Sequence, residues 1–271
     1  MIGTVAVLFA ATSCQKDESF AAQTNGPKIV WNIEGTIRDF IPSDDAVKAT
    51  VESVVRVKWQ SDDKVYVYDT SGKLGELTVF PKDNGRTARL QGTINTPETD
   101  SITLVYSNAG EPTFYNPGDS ITVNIAEQNQ KNFPFVLYAA SGKTPADVDF
   151  SFATAVMRVN GTGVFKTGVD TAKIEKVNTV CKLTVKTNGA PDNVTGTTPG
   201  IIARSGNQSF NLSGDGRATF YIGMVNNDNA SGSDRKIRLQ KGTSFCGANF
   251  TNSAIKAGGS YNSVYAFSPE E

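Results

Sequence analysis

The 271-residue chain contains no histidine. That absence removes Ser-His-Asp and Cys-His nucleophile activation, together with every zinc site that needs an imidazole. Charge of a single sign is missing too. Lys and Arg number 26 against 27 Asp and Glu, for a net charge of −1. No basic field is present to neutralise phosphates, so a nucleic-acid partner is not expected. Long hydrophobic runs are also lacking. Residues 2–11 are apolar apart from Gly3 and Thr4, far short of the roughly 20 residues a spanning helix needs. Cysteine is scarce, with three residues and no C-x-x-C pair. Cys181 and Cys246 could pair in an oxidising compartment, or serve as two buried thiols that pack like small apolar side chains, and the sequence leaves both readings open. What remains is ample for a core: 38% of residues are hydrophobic and 20% charged, which argues against global disorder.

The short apolar run ends in small residues, as a secretory signal peptide does, and residues 1–13 are set aside from the fold. Ala11-Thr12-Ser13-Cys14 resembles a bacterial lipobox, whose cysteine carries lipid and becomes the mature N-terminus. Lys16, Asp17 and Glu18 follow, and a lysine with two acids at this place resembles the surface-export signal of Bacteroidetes lipoproteins. Residues 14–27 are then the lipidated N-terminus and a polar tether, closing on Gln23-Thr24-Asn25-Gly26-Pro27.

Beyond the tether, alternation of apolar and polar residues dominates. Over 47–59, Val47, Ala49, Val51, Val55, Val57 and Trp59 share one face while Lys48, Thr50, Glu52, Arg56 and Lys58 occupy the other. Strict period two with β-branched residues predicts a strand. Further strands are expected at 29–33, 65–68, 77–80, 87–91, 102–106 and 121–125, and in the second half at 148–152, 155–159, 182–186, 210–212, 218–225, 236–239 and 264–267. Gly, Pro, Asn and Asp punctuate the intervals, as in Asp83-Asn84-Gly85 and Pro117-Gly118-Asp119. Short strands at this spacing, with no long helical pattern between them, predict antiparallel sandwiches. Ser141-Gly142-Lys143-Thr144-Pro145 reads as a hinge, so two β-sandwich domains in tandem are expected at 28–147 and 148–271. Residues 188–200 and 226–234, rich in turn formers, are expected to be long surface loops.

These landmarks occur in a familiar order. Trp59-Gln60-Ser61-Asp62-Asp63-Lys64-Val65-Tyr66-Val67-Tyr68 resembles the W-x-x-G-D-x-I-x-V-Y strand pair of Bacteroidetes fimbrillin-like proteins, with Asp62 where glycine is usual. Arg89-Leu90-Gln91-Gly92-Thr93-Ile94 looks like the F-x-G-x-I strand that follows, with Leu90 in place of the aromatic. Leu104-Val105-Tyr106-Ser107, the stretch 121–130 with Tyr138-Ala139-Ala140, the strand at 148–159 and Gly258-Gly259-Ser260-Tyr261 continue the likeness over residues 28–267. The resemblance implies two transthyretin-like domains in a surface lipoprotein of type V fimbriae or related adhesion systems. It implies further that an arginine-specific protease can remove an N-terminal strand, whose groove a neighbouring subunit's strand then fills by β-augmentation. Arg38, between the strand at 29–33 and the run at 47–59, is where such a cut is placed, beside the plainer reading of an ordinary loop arginine.

Other chemistry finds little purchase. Gly142-Lys143-Thr144 matches the end of a Walker A loop, but Leu137 stands where the earlier glycine is required. Ser61-Asp62-Asp63-Lys64 and Ser253-Ala254-Ile255-Lys256 satisfy S-x-x-K without the partner motifs of serine–lysine acyltransferases. The acid pairs Asp44-Asp45 and Asp62-Asp63 read as solvated turn residues rather than glycosidase machinery. Asp228 lies in an oxygen-rich stretch that lacks the spacing of a calcium loop. No catalytic residue, metal site or cofactor is assigned, and the chain is not expected to be an enzyme. Phe114 and Tyr115, followed by Asn116-Pro117, form an aromatic segment that could offer a sugar a stacking surface or could pin a loop. Two functions follow. The first is a fimbrillin-like lipoprotein of the outer-membrane surface that binds other fimbrial subunits or host and bacterial surface ligands. The second is a glycan-binding surface lipoprotein of a polysaccharide-uptake system.

Overall fold

The computed structural model describes residues 27–39, 41–42, 57–115, 120–128, 134–165, 169–185, 194–205, 211–212, 215–225, 235–250 and 255–270. Among them are twenty strands and no helix. The first half holds β1 (Lys28–Ile37), β2 (Ile41–Pro42), β3 (Lys64–Asp69), β4 (Gly72–Pro81), β5 (Thr87–Asn95) and β6 (Ile102–Ser107). Then come β7 (Thr113–Tyr115), β8 (Ser120–Asn124), β9 (Glu127–Gln128), β10 (Val136–Ser141) and β11 (Asp147–Phe152). The second half holds β12 (Thr154–Thr162), β13 (Thr171–Thr184), β14 (Val194–Ser205), β15 (Asn211–Leu212) and β16 (Ala218–Val225). It ends with β17 (Arg235–Lys241), β18 (Ser244–Phe250), β19 (Gly259–Ala266) and β20 (Ser268–Glu270).

Seven strands close into a barrel in the order β1-β11-β10-β6-β3-β4-β5. Its interior is filled by inward residues of each strand, among them Trp31, Ile33, Ile37, Leu77, Leu90, Ile94, Leu104, Leu137 and Phe150. Closure gives each of these seven strands a neighbour on both sides, although β1 meets β11 only over Glu34–Ile37. The remaining strands form a five-stranded sheet, β15-β16-β12-β19-β2, and an eight-stranded sheet built on β13. One core serves both sheets: Met157, Val159, Phe220 and Ile222 from the first lie with Ile174, Cys181, Leu183, Ile237 and Leu239 from the second.

The chain passes between these units more than once. β8 leaves the barrel to pair with β13, and β9 pairs with β14, before β10 and β11 return to the barrel. β6 is therefore buried on both faces: Ile102, Leu104 and Tyr106 fill the barrel, while Val105 packs in the second core. Gln128 of β9 ties the two sheets together, because its side-chain amide donates to the carbonyl of Gly223 in β16 at 2.8 Å and its side-chain oxygen accepts from the Gly223 N–H at 3.1 Å. Gly223 has no room for a side chain, since a Cβ there would lie 2.2 Å from the Pro134 carbonyl oxygen.

The all-β expectation holds, but seven strands close into a barrel where a first sandwich was expected, and the pairing is not uniformly antiparallel. β1 runs parallel to β11, β12 to β19, β14 to β9 and β19 to β2. Of the run expected as a strand at 47–59, residues 47–56 lie outside the described residues; Val57 and Trp59 are buried as the alternation requires, but no strand forms at 57–60. The loop expected at 188–200 is corrected over its described part, because 194–200 opens β14, which pairs along β13 almost end to end. Turn formers there are carried into a strand by their long partner, whose ladder hydrogen bonds outweigh local preference. The loop expected at 226–234 lies outside the described residues.

Candidate functional site

β1 is the strand that completes the barrel. It pairs antiparallel with β5 from Lys28 opposite Asn95 to Thr36 opposite Thr87, and parallel with β11 from Glu34 opposite Asp147 to Ile37 opposite Phe150. Its sequence alternates with the pleat: Trp31, Ile33, Gly35 and Ile37 are buried, whereas Val30, at 69% exposure, faces solvent. Burying such apolar side chains stabilises by about 1.5–3 kcal/mol each, so β1 is held by its inward face as well as by its ladder.

The inward position at Gly35 differs from its neighbours. A Cβ placed there would meet Leu90 Cδ1 at 2.8 Å, Phe150 Cε2 at 3.1 Å and Leu90 Cγ at 3.2 Å. Leu90 comes from β5 and Phe150 from β11, both fully buried, so the two flanking strands fill the space a side chain would take. Trp59 packs edge-on against Phe150, with ring centroids 5.2 Å apart at 85°, and against Tyr106 at 5.3 Å and 82°. Phe150 is thereby held in place from behind.

Arg38 follows β1 directly. Its side chain is 62% exposed and donates to Asp149 of β11 at 3.0 Å, while its backbone N–H donates to the Phe150 carbonyl at 2.9 Å. Asp39 pairs with Arg86, whose guanidinium also donates to the Ile37 carbonyl. Three residues beyond Arg38, β2 joins β19 of the five-stranded sheet, with Ile41 opposite Gly259. Arg38 therefore sits between a strand that belongs to the barrel and a strand that belongs elsewhere. On one side of Arg38 β1 is paired with β5 and β11, and on the other the chain is tied to β19.

The other sequence-predicted residues fare differently. Cys14, Lys16, Asp17 and Glu18 lie outside the described residues. Cys181 and Cys246 are free and buried, so the disulfide reading is corrected in favour of two core thiols. Register shows why. Ala172 lies opposite Leu239, and Leu239 opposite Cys246, so Cys246 shares a rung with Ala172, nine residues along β13 from Cys181. At about 3.3 Å per residue this is ~30 Å, where a disulfide needs Cα atoms within about 7 Å. Burial pushes the Cys181 thiol up to about 12, and burial with the nearby Glu270 charge pushes Cys246 up to about 11.

Phe114 and Tyr115 lie on β7 and part company. Phe114 stacks on Tyr68 with centroids 6.0 Å apart at 14°, and the Tyr68 hydroxyl donates to the Pro112 carbonyl at 3.2 Å. Phe114 thus pins the segment, leaving Tyr115, 55% exposed, as the aromatic of the pair that faces solvent. Asp62 and Asp63 form a turn: Asp62 takes a positive φ of 69°, and Asp63 accepts from the Gln60 N–H at 2.8 Å. The positive φ accounts for the glycine usual at that place in the resembled pattern. Gly258 likewise turns at φ 73°, and the Tyr261 hydroxyl accepts from the Lys256 N–H at 2.7 Å. Asp149, Leu90 and Phe150, which flank β1, could not be joined to residues 28–38 from sequence, because nothing local links them.

No family model matches the chain, and no curated protein matches it. Among solved structures, a candidate cell adhesion protein from Bacteroides ovatus matches over 89% of this chain and 95% of its own, with 14% identity and a TM-score of 0.50. A second candidate cell adhesion protein, from Bacteroides fragilis, matches over 89% and 97% with 12% identity and the same TM-score. The chain shares the fold of these proteins, in keeping with the fimbrillin-like resemblance.

Proposed function

We propose that this chain is a fimbrillin-like cell-surface lipoprotein, anchored through Cys14 and exported on Lys16-Asp17-Glu18, that serves adhesion or fimbrial assembly without catalysis. Its working part is the β1 groove. Cleavage after Arg38 breaks the covalent link between the lipid-bearing N-terminus and the body of the protein, so that β1 can be exchanged for a strand from another subunit, which adds between β5 and β11. The observation that carries this reading is the position of Arg38: exposed, at the last residue before the chain leaves the barrel, with β1 alone closing the sheet behind it. The shared fold of candidate adhesion proteins supports the same class of function. A glycan-binding role is less favoured, because Phe114 packs on Tyr68 and does not join Tyr115 in a stacking platform.

Treatment of the lipidated protein with an arginine-specific protease tests the reading. The expected result is a new N-terminus at Asp39, loss of lipid from the main fragment and a ladder of oligomers, all abolished by Arg38→Ala. A chain that resists cleavage at Arg38, or that is cut there and stays monomeric at high concentration, would overturn it.

A further inference from the structure

We infer that the β1 groove accepts a partner strand of one pattern only: apolar side chains at the places of Trp31, Ile33 and Ile37, with glycine at the place of Gly35. The inference rests on the strand-exchange reading and names the partner it selects, a second polypeptide whose docking strand repeats the inward pattern apolar, apolar, glycine, apolar at every second residue. Backbone pairing alone cannot set this. Ladder hydrogen bonds are blind to sequence, and a strand of period two can slide by two residues while keeping its apolar face inward. Ile29 packs half-buried at the start of the strand, and three of the four inward places that follow are pockets, occupied here by nearly buried side chains. The fourth is closed by Leu90 and Phe150 converging from opposite sides of the groove.

The closure is firm. Leu90 Cδ1 is the end of a flexible side chain, but it is fully buried in the barrel core and has no solvent to move into. Phe150 is backed by Trp59. A Cβ at 2.8 Å therefore demands rearrangement of a packed core, and overpacking of this kind is destabilising. A donor strand shifted by two residues puts a branched side chain on the closed place and glycine in an empty pocket, so it loses twice. Leu90 and Phe150 are the specificity-determining residues, and glycine is the mark they read. The outward places of Val30, Asn32, Glu34 and Thr36 carry no such demand, being exposed or half-exposed.

The test uses the full chain cleaved after Arg38 and synthetic peptides of residues 27–38, with incorporation followed by exchange of a fluorescent label. The native peptide is expected to enter. A Gly35→Val peptide should enter about 10- to 100-fold more weakly. So should a peptide of identical composition carrying Ile33→Gly with Gly35→Ile. Leu90→Ala in the protein should recover the Gly35→Val peptide at least about tenfold. Native and altered peptides entering equally well would overturn the glycine rule and leave strand exchange standing. Failure of the native peptide to enter at all would overturn strand exchange itself. The peptide comparison needs no protein variant, so poor folding of Leu90→Ala would not blunt it.

Discussion

Arg38 Nη2 lies 3.0 Å from Asp149 Oδ2, joining the residue after β1 to the strand that runs parallel beside it, 111 positions away in the chain. Both side chains are more than half exposed, so the pair contributes at most about 1 kcal/mol. Its consequence is positional, since it holds the guanidinium against the barrel wall.

A protease that reads arginine must take that guanidinium into its own acidic pocket. Asp149→Ala removes the competing carboxylate, and cleavage after Arg38 should become faster while the unfolding free energy changes by less than about 1 kcal/mol. Timed digestion followed by mass spectrometry, beside a denaturant titration, measures both. Unchanged cleavage with lost stability would mean that the pair is structural instead.

Asp62 adopts a left-handed backbone conformation at φ 69°, which is strained for a residue with a Cβ but not for glycine. Asp62→Gly should therefore raise stability by up to about 1 kcal/mol, with no change in β1 release. Asp62→Val, which is branched at Cβ, should lower it. Chemical denaturation of the two variants beside the parent gives the sign directly.

The two core thiols should be silent in the folded protein. Burial raises Cys181 to about 12 and Cys246 to about 11, so at pH 8 neither offers an appreciable thiolate, the reactive form. A colourimetric thiol reagent should label neither under native conditions and both after unfolding. Oxidants should leave their combined mass unchanged in the folded state. A disulfide between them in folded protein would contradict the observed register.

Glu270 sits at the C-terminal strand β20, ion-paired to Lys236 and, at 2.7 Å, to Arg238. Burial by itself would raise its pKa from the ordinary 4.5, but hydrogen bonds and charge from Lys236 and Arg238 outweigh it and hold the carboxyl below that value. A depressed carboxylate stabilises the fold above its unfolded pKa and loses that contribution as pH falls through the folded one. β20 should thus stay docked on β18 at neutral pH and loosen progressively below about pH 4.5. Hydrogen exchange at Phe245 and Gly247, which pair with β20, should accelerate in acid for the parent. Glu270→Gln should show fast exchange already at pH 7.

Much of the fold was legible in local pattern. The strand expected at 29–33 falls within β1, Thr87 and Leu90 belong to a strand as expected, and Asn84 and Gly85 lie in the predicted turn. β18 and most of β13 were not legible, since Ser, Gly, Asn and Lys dilute their alternation, and partners on both sides supply what propensity lacks. The candidate site was half legible. Arg38 could be picked out as a basic residue after an apolar strand, but Asp149, Leu90 and Phe150 could not be joined to it.

By itself the sequence determined an all-β chain, a strand at 29–33 inside β1, the turn at Asp62 and the lack of any imidazole-dependent chemistry. These are local properties, set by side-chain period and backbone preference within a few residues. Only the tertiary structure decided that β1 closes a barrel between β5 and β11, that Phe114 turns onto Tyr68, and that Cys181 and Cys246 lie far apart. It alone decided that position 35 has no room for a side chain. Each of these depends on which strand becomes whose neighbour, and pairing across a hundred residues is chosen by the packing of whole faces rather than by any pattern a single segment carries.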